Sequence, residues 1–478
     1  MAKRQTTSSR SRPQTSAAVV LPVRNLSSPV FAQPEPTADP SIFKIKHPSD
    51  AAAYHAIDEL NKLHKIQAMP FPKPRGNKAE PRLTLHDVFG GDDAATKAIA
   101  AIEGNQQIVF HSTGDCGSTR GPTTQNEVTD KMIGDFNETE VKEMPQFALL
   151  LGDIVYSFGE TEYYFDQFYE PYRNYHAPVL AAAGNHDGMI SPLAHAKSLD
   201  GYLRNFCCDP TKGFAVMPEA GKLSRTAQIQ PGVFFTFEAP FVRILVFYSN
   251  TLEDPGVIAD NTIGHDQIDF LRAALQRIKA ERYEGALLFA HHHPQYAIGG
   301  QHSSSTEMRQ QMDAVCAEVG VWPHAVLTGH AHSYQRFTRC RADGTEIPYL
   351  ICGNGGHNVQ KLRPVDGKAP RVPQTLQAKT RDDDQVVFER YDDTDYGYLR
   401  VIATAQQLRI EYHPASDGVD AKTPDDSVTI DLASRKRTTY SPSALGITRM
   451  AGQVRALHTR QVRARRQRQE RARAKRKS

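Results

Sequence analysis

Five apolar runs in this sequence end on side chains that can hold a metal ion, and in four of them a glycine stands immediately before the candidate ligand. The runs are Gln107-Ile-Val-Phe-His-Ser-Thr-Gly-Asp115, Phe147-Ala-Leu-Leu-Leu-Gly-Asp153, Pro178-Val-Leu-Ala-Ala-Ala-Gly-Asn-His-Asp187, Ala286-Leu-Leu-Phe-Ala-His-His-His293 and Pro323-His-Ala-Val-Leu-Thr-Gly-His-Ala-His332. Short apolar runs closed by a turn residue read as buried strands. Ligand sites in open α/β sheets lie beyond the carboxyl ends of such strands. The pattern therefore predicts a sheet that delivers carboxylates, imidazoles and one amide to a common edge, with Gly184 letting the chain turn sharply before Asn185.

Helical stretches fall between these runs, over Asn126 to Phe136, Asp266 to Glu281 and Thr306 to Val319. Strand, helix and strand in that order predict right-handed crossovers and a parallel or mixed sheet. Further strands at Ile347–Cys352, Tyr398–Ile402 and Gln407–Tyr412 are expected to join a second sheet. The expected fold class is α/β, a four-layer α/β/β/α sandwich of two mixed sheets flanked by helices. Tyr164, Phe165, Phe168, Tyr169 and Tyr172 recur at spacings of one, three and four, which assigns them to core packing.

The ends differ from this body. Residues 1–45, rich in Ser, Thr, Pro and Gln, read as disordered. Residues 46–105 read as a helical and loop segment with helices over Ala51–His64 and Ala95–Ile102. The main domain is placed at 106–415 and a C-terminal extension at 416–478. From Arg455 to Lys477 the chain has eleven Lys/Arg and one acid, Glu470, whereas the net charge of the whole is only +3. The body is thus mildly acidic and the tail basic, which suits weak contact with a polyanion. No run of about 18 apolar residues is present, which argues against a membrane span. The start lacks a convincing secretory signal, so a cytoplasmic location is favoured. Six cysteines in 478 residues do not make a disulfide scaffold.

The strand tips collect Asp115, Asp153, Tyr156, Asn185, His186, one or more of His291 to His293, His330 and His332. Oxygen and imidazole donors without thiolate clusters suit iron, zinc or manganese. Taken in order, Gly114-Asp-x-Gly117, Gly152-Asp-x-x-Tyr156, Gly184-Asn-His-Asp187, His292-x-Pro294 and Gly329-His-x-His332 resemble the five blocks of the calcineurin-like metallophosphoesterases. Gly117 and Tyr156 are similar to the marks of one branch, the purple acid phosphatases. The resemblance extends through Ser333–Phe337 and Gly353–Gly356.

That resemblance implies hydrolysis of small phosphomonoesters at a dinuclear centre, a hydroxide bound to the pair attacking phosphorus in line. It implies a ferric ion held by Asp115, Tyr156 and His332, a bridging Asp153, and a divalent ion (iron, zinc or manganese) held by Asn185, His292 and His330. His292 is selected over His291 by its spacing to Pro294. The resemblance also places His186 beside the substrate phosphate and His302 near the leaving group. Cys116 departs from the family, where tryptophan is common, and the amino-terminal sandwich of the plant enzymes is missing. A phosphodiesterase or nuclease of the same superfamily, or a non-catalytic binding protein on the same fold, are the alternatives. The oligomeric state is not addressed by the sequence.

Overall fold

A computed structural model describes residues 22–32, 59, 63, 67–76, 78–191, 196–223, 225–299, 302–362, 375–377 and 384–441. The fold occupies a compact unit that ends at Arg437. The basic stretch from Arg455 to Lys477, the first 21 residues and nearly all of the helix expected over 51–64 lie outside the described residues.

In chain order the strands begin with β1 (Arg24–Leu26), β2 (Arg82–Thr84), β3 (Ile108–Thr113), β4 (Pro145–Leu151), β5 (Val179–Ala182) and β6 (Phe214–Val216). They continue with β7 (Phe235–Ala239), β8 (Val242–Val246), β9 (Ala286–Ala290), β10 (Ala325–Thr328), β11 (Tyr334–Cys340) and β12 (Glu346–Cys352). The last are β13 (Thr375–Gln377), β14 (Gln385–Asp392), β15 (Gly397–Ala403), β16 (Gln407–Pro414), β17 (Asp426–Asp431) and β18 (Lys436–Arg437). One large sheet has seven strands in the order β18-β17-β16-β15-β3-β4-β5, the other nine in the order β13-β14-β11-β12-β10-β9-β8-β7-β2. Both are mixed: β3, β4 and β5 are parallel while β15 runs antiparallel to β3. In the other, β8, β9, β10 and β12 are parallel and β11 is antiparallel to β12.

Alternation along each strand builds the layers. Phe147, Leu149 and Leu151 of β4 share a core with Leu288 and Ala290 of β9 and Leu327 of β10, between the sheets. Ala148 and Leu150 join Val128 and Met132 of the helix Thr123–Gly134 on the outer face. Leu287 and Phe289 of β9 likewise belong with Phe270 and Leu271 of the helix Asp266–Ala280 and Met308 and Met312 of the helix Thr306–Val319. Strands covered on both faces need apolar residues at every position, and for this reason the runs are continuous. Each fully buried Leu or Phe contributes about 1.5–3 kcal/mol relative to exposure. Phe147 stacks on Phe110 at 4.5 Å and meets Phe237 of the other sheet edge-on at 4.9 Å. The aromatic stripe is core as expected, with Tyr164, Phe168, Tyr169 and Tyr172 all at or below 2% exposure.

The fold is the expected two-sheet sandwich, with three differences in detail. The ligand-bearing strands do not share one sheet, since β3, β4 and β5 lie in the seven-stranded sheet and β9 and β10 in the nine-stranded one. Nor do the later strands all join the second sheet: Glu346–Cys352 pairs with β10 in the nine-stranded sheet, whereas Gly397–Ala403 pairs with β3 in the seven-stranded one. Finally, the seven-stranded sheet continues past residue 415, because Asp426–Asp431 pairs with β16.

Candidate metal centre

The carboxyl ends of β3, β4, β5, β9 and β10 meet where the two sheets come together, and backbone bonds tie the tips to one another. The amide of Asp115 donates to the Gly152 carbonyl at 2.9 Å, that of Gly329 to His292 at 3.0 Å, and that of Gly114 to Cys352 at 2.8 Å. Asp187 fastens two tips further: its carboxylate accepts from the amides of Gly184 at 2.8 Å and Ile154 at 3.1 Å. Its role is thus to clamp backbone.

The glycines act differently from the expectation. Gly184 has ordinary extended backbone, φ −95° and ψ −177°. Gly152 does turn, at φ 95°, but the other left-handed residues at these tips are the ligand candidates themselves, Asp115 at φ 56°, Asp153 at 53° and His330 at 68°. Such conformations are uncommon away from glycine and concentrate at functional sites. The glycines are there for want of room: a Cβ on Gly184 would lie 2.1 Å from Asp153 Oδ1, and one on Gly329 or Gly353 would lie 2.7 Å from Asp115 Oδ2.

Side-chain geometry around this point is close, and the groups are buried. Ligand atoms of Asp115, Asp153 and His292 all lie within 4.8 Å of one another. His292 Nδ1 lies 2.7 Å from the Leu151 carbonyl, which leaves Nε2 to face Asp153 Oδ2 at 3.3 Å. Tyr156 Oη stands 3.0 Å from Asp115 Oδ1 and 3.3 Å from His332 Nε2, itself 3.2 Å from the same carboxylate oxygen. His330 Nδ1 lies 3.2 Å from His292 Nε2. Gln167 fixes the tyrosine by bonding both its amide, at 2.9 Å, and its carbonyl, at 2.7 Å.

These residues fit a cation. Asn185 is fully buried, yet neither atom of its amide has a hydrogen-bond partner, which for a buried polar group is costly unless a ligand completes it. Among the described residues no lysine or arginine pairs with Asp115 or Asp153, whose ionic neighbours are histidines. With protein groups alone, burial works against charge on His292, but Asp153 and Asp115 outweigh it and hold its pKa up to about 9. Burial likewise opposes ionisation of Asp153, and His292 and His186 reverse this to hold it well below the usual carboxylate range. Burial, then Asp115 and Asp153, push the Tyr156 phenol well above its ordinary value. A cation would take over the charge balance that His292 otherwise supplies. Donors sharing an ion at about 2.0–2.2 Å stand about 2.8–3.6 Å apart, the short end for octahedral and the long end for tetrahedral coordination, and the contacts of 3.0–3.3 Å fall in that range.

His186 does not point the same way. Its Nδ1 lies 2.7 Å from the Ser157 carbonyl and its Nε2 is 4.0 Å from Asp153 Oδ2 and 3.8 Å from Glu253 Oε1. Burial depresses its pKa, but Asp153 and Glu253 raise it more, and the net shift is upward. His302 reaches the mouth of the site, its ring 4.1 Å from that of His330. Only the middle member of the histidine triplet faces the aspartates. His291 Nδ1 bonds the carbonyl of His293, and His293 bonds Ser249 and Leu252. Cys116 is buried beside the site, with 1% exposure.

The sequence reading missed Glu253, Asp254, His357 and Asn358. His357 stacks face-on against Tyr156 with ring centroids 3.6 Å apart, and Asn358 bonds His332 Nδ1. Strand direction was the available signal. β8 runs parallel to β9, and β12 parallel to β10, so the loops after both must fall at the same edge as His292 and His330.

Residues 110–334 match the family model described as calcineurin-like phosphoesterase. The chain carries a calcineurin-like phosphoesterase domain. Solved structures similar to it include a purple acid phosphatase from yellow lupin (Lupinus luteus) seeds, at 16% identity and a TM-score of 0.46. That alignment covers 70% of this chain and 57% of the lupin chain, so the two share little more than half of the lupin protein's length. Others are GAP50, the anchor in the inner membrane complex of Plasmodium (10% identity, TM-score 0.43, 70% and 90% covered), and PhoD (13%, 0.41, 70% and 72%). No curated protein sequence matches this chain. The buried Asp115, Asp153 and His292 are compatible with the divalent centre of a metal-dependent phosphoesterase. No helix among the described residues is long and apolar enough to cross a membrane.

Proposed function

We propose that this phosphoesterase domain hydrolyses small phosphomonoesters in the manner of the purple acid phosphatases, at a ferric and divalent ion pair. Asp115, Tyr156 and His332 would hold the ferric ion and Asn185, His292 and His330 the divalent one, iron, zinc or manganese, with Asp153 between them. The observation that carries this reading is the meeting of Tyr156 Oη, Asp115 and His332 at 3.0–3.3 Å beside the Asp153–His292 contact. Bound metal ions supply Lewis acidity, activate water and stabilise charge on phosphoryl oxygens.

The chain's own groups do the rest. His186 is anchored through Nδ1 to Ser157, which leaves Nε2 to meet a phosphoryl or leaving-group oxygen, a contribution of about 10²–10⁴-fold in rate. His302, at the mouth, would assist a departing oxygen from the outer side. Asp187 holds the backbone of both tips, Gln167 holds the backbone of Tyr156, and the stacked His357 holds its ring. The test compares His186→Ala with Asn185→Ala, reading metal content and turnover of aryl phosphate mono- and diesters. His186→Ala is expected to keep its metal and lose most of kcat, and Asn185→Ala to lose the divalent ion. Metal loss by His186→Ala equal to that of Asn185→Ala would refute the role of His186, and preference for the diester would replace monoesterase by phosphodiesterase.

A further inference from the structure

A second group of potential cation ligands stands on the outer side of His330, formed with Asp254 of the loop after β8 and His302 of the loop after His292. Asp254 Oδ1 is 3.6 Å from His330 Nε2, and Oδ2 is 3.6 Å from His302 Nδ1. Neither of these imidazole nitrogens has a hydrogen-bond partner, although both are shielded from solvent and His330 as a whole is 1% exposed. A carboxylate and an imidazole 3.6 Å apart are too far for a hydrogen bond. Two donors each about 2.0–2.2 Å from a tetrahedral zinc stand about 3.3–3.6 Å apart, so the spacing suits a shared ion. Asp254 is itself held, since Oδ1 accepts from the amide of Ser303 at 2.8 Å and from its hydroxyl at 3.0 Å.

We propose that Asp254, His302 and His330 form a further divalent-cation site, of the kind zinc fills, distinct from the buried centre that His330 faces through Nδ1. His330 then carries an ion on each ring nitrogen as the imidazolate, its remaining ring proton being released to solvent when the outer ion binds. The outer site is the more accessible of the two: the side chains of Asp254 and His302 are 21% and 13% exposed, those of Asp115 and Asp153 0% and 1%. Its ion exchanges faster and is removed first by a chelator. An ion on His302 withdraws that imidazole from the leaving group, so filling the outer site inhibits hydrolysis. This last step rests on the function proposed above; the site itself does not.

The full-length chain, dialysed to equilibrium against buffered zinc, provides the test. Zinc per chain is counted for the wild type, Asp254→Asn and His302→Ala, with Asp269→Asn as an exposed-carboxylate control. The wild type and the control are expected to bind one more zinc than either site variant, all four melting alike. In turnover assays, excess zinc should inhibit the wild type at least tenfold and leave Asp254→Asn uninhibited. Equal zinc counts in the wild type, Asp254→Asn and His302→Ala would overturn the site. A difference of one zinc persists even if the buried centre binds nothing, so failure of the proposed function and failure of this site give different results. One extra zinc without loss of turnover would overturn the inhibition.

Discussion

Replacing Gly184 with alanine tests whether the site depends on missing side chains. The new Cβ would lie 2.1 Å from Asp153 Oδ1 and 2.3 Å from its amide nitrogen, where ordinary contact begins at 3.4 Å. Asp153 would have to retreat by about 1 Å, and it cannot do so freely: its Oδ1 accepts from the His186 amide at 2.9 Å, and the next residue's amide is held by Asp187. Misplacement of about 1 Å costs on the order of 10²-fold in turnover. Overpacking of this kind costs about 1–3 kcal/mol in stability. Gly104→Ala is the control, because it ends a helix where nothing lies within 4 Å of the added carbon. Metal content, aryl phosphate turnover and a thermal melt should separate the two. Gly184→Ala is expected to lose metal and at least 99% of turnover, and Gly104→Ala to lose neither. A folded Gly184→Ala protein with full metal and normal turnover would show that the tip is not packed as described.

Tyr156→Phe should abolish the visible charge-transfer band expected of a tyrosinate on ferric ion, read by absorption spectroscopy after iron loading; a band that survives removes Tyr156 from the iron. A pH dependence of stability follows from His324, whose pKa burial and the neighbouring Arg435 pull down to about 3. The group is neutral when folded, so its contribution is complete above the unfolded value of about 6.5 and declines as pH falls toward about 3, by roughly 2–3 kcal/mol at pH 4.5. In urea unfolding, the stability gap between wild type and His324→Asn should shrink by that amount between pH 7.5 and pH 4.5, and a constant gap would refute the linkage.

How much could be read from the chain depended on where each element finds its partners. β3, β4, β5, β9 and β10 are covered on both faces, so their apolar runs stand out without knowledge of any other residue. β11 and β17 do not stand out, because Tyr334-Gln-Arg-Phe-Thr-Arg-Cys340 and Asp426–Asp431 carry charges that look exposed. In the fold Arg336 pairs with Asp426 at 2.7 Å, and Arg339, fully buried, pairs with Asp384 at 2.6 Å and Asp313 at 2.7 Å. Those partners are distant in sequence, and nothing local announces them. The same holds at the site. Asp115, Asp153 and His330 were legible from the glycine before each, although the cause is crowding more than turning. Asp254 and His357 were not, since only the parallel direction of β8 and β12 brings their loops to the common edge.

The place of β15 beside β3 has a consequence for biosynthesis. About 280 residues separate Thr113 from Gly397, so a ribosome working at about 5–20 residues per second leaves the edge of β3 unpaired for about 15–60 s. During that interval Ile108, Val109 and Phe110 present an apolar strand edge that can pair with another chain. The half-sheet that carries Asp115, Asp153 and Asn185 is therefore the first part of the domain to be made and among the last to be closed, and a chain interrupted before residue 397 would hold those residues on an edge open to aggregation.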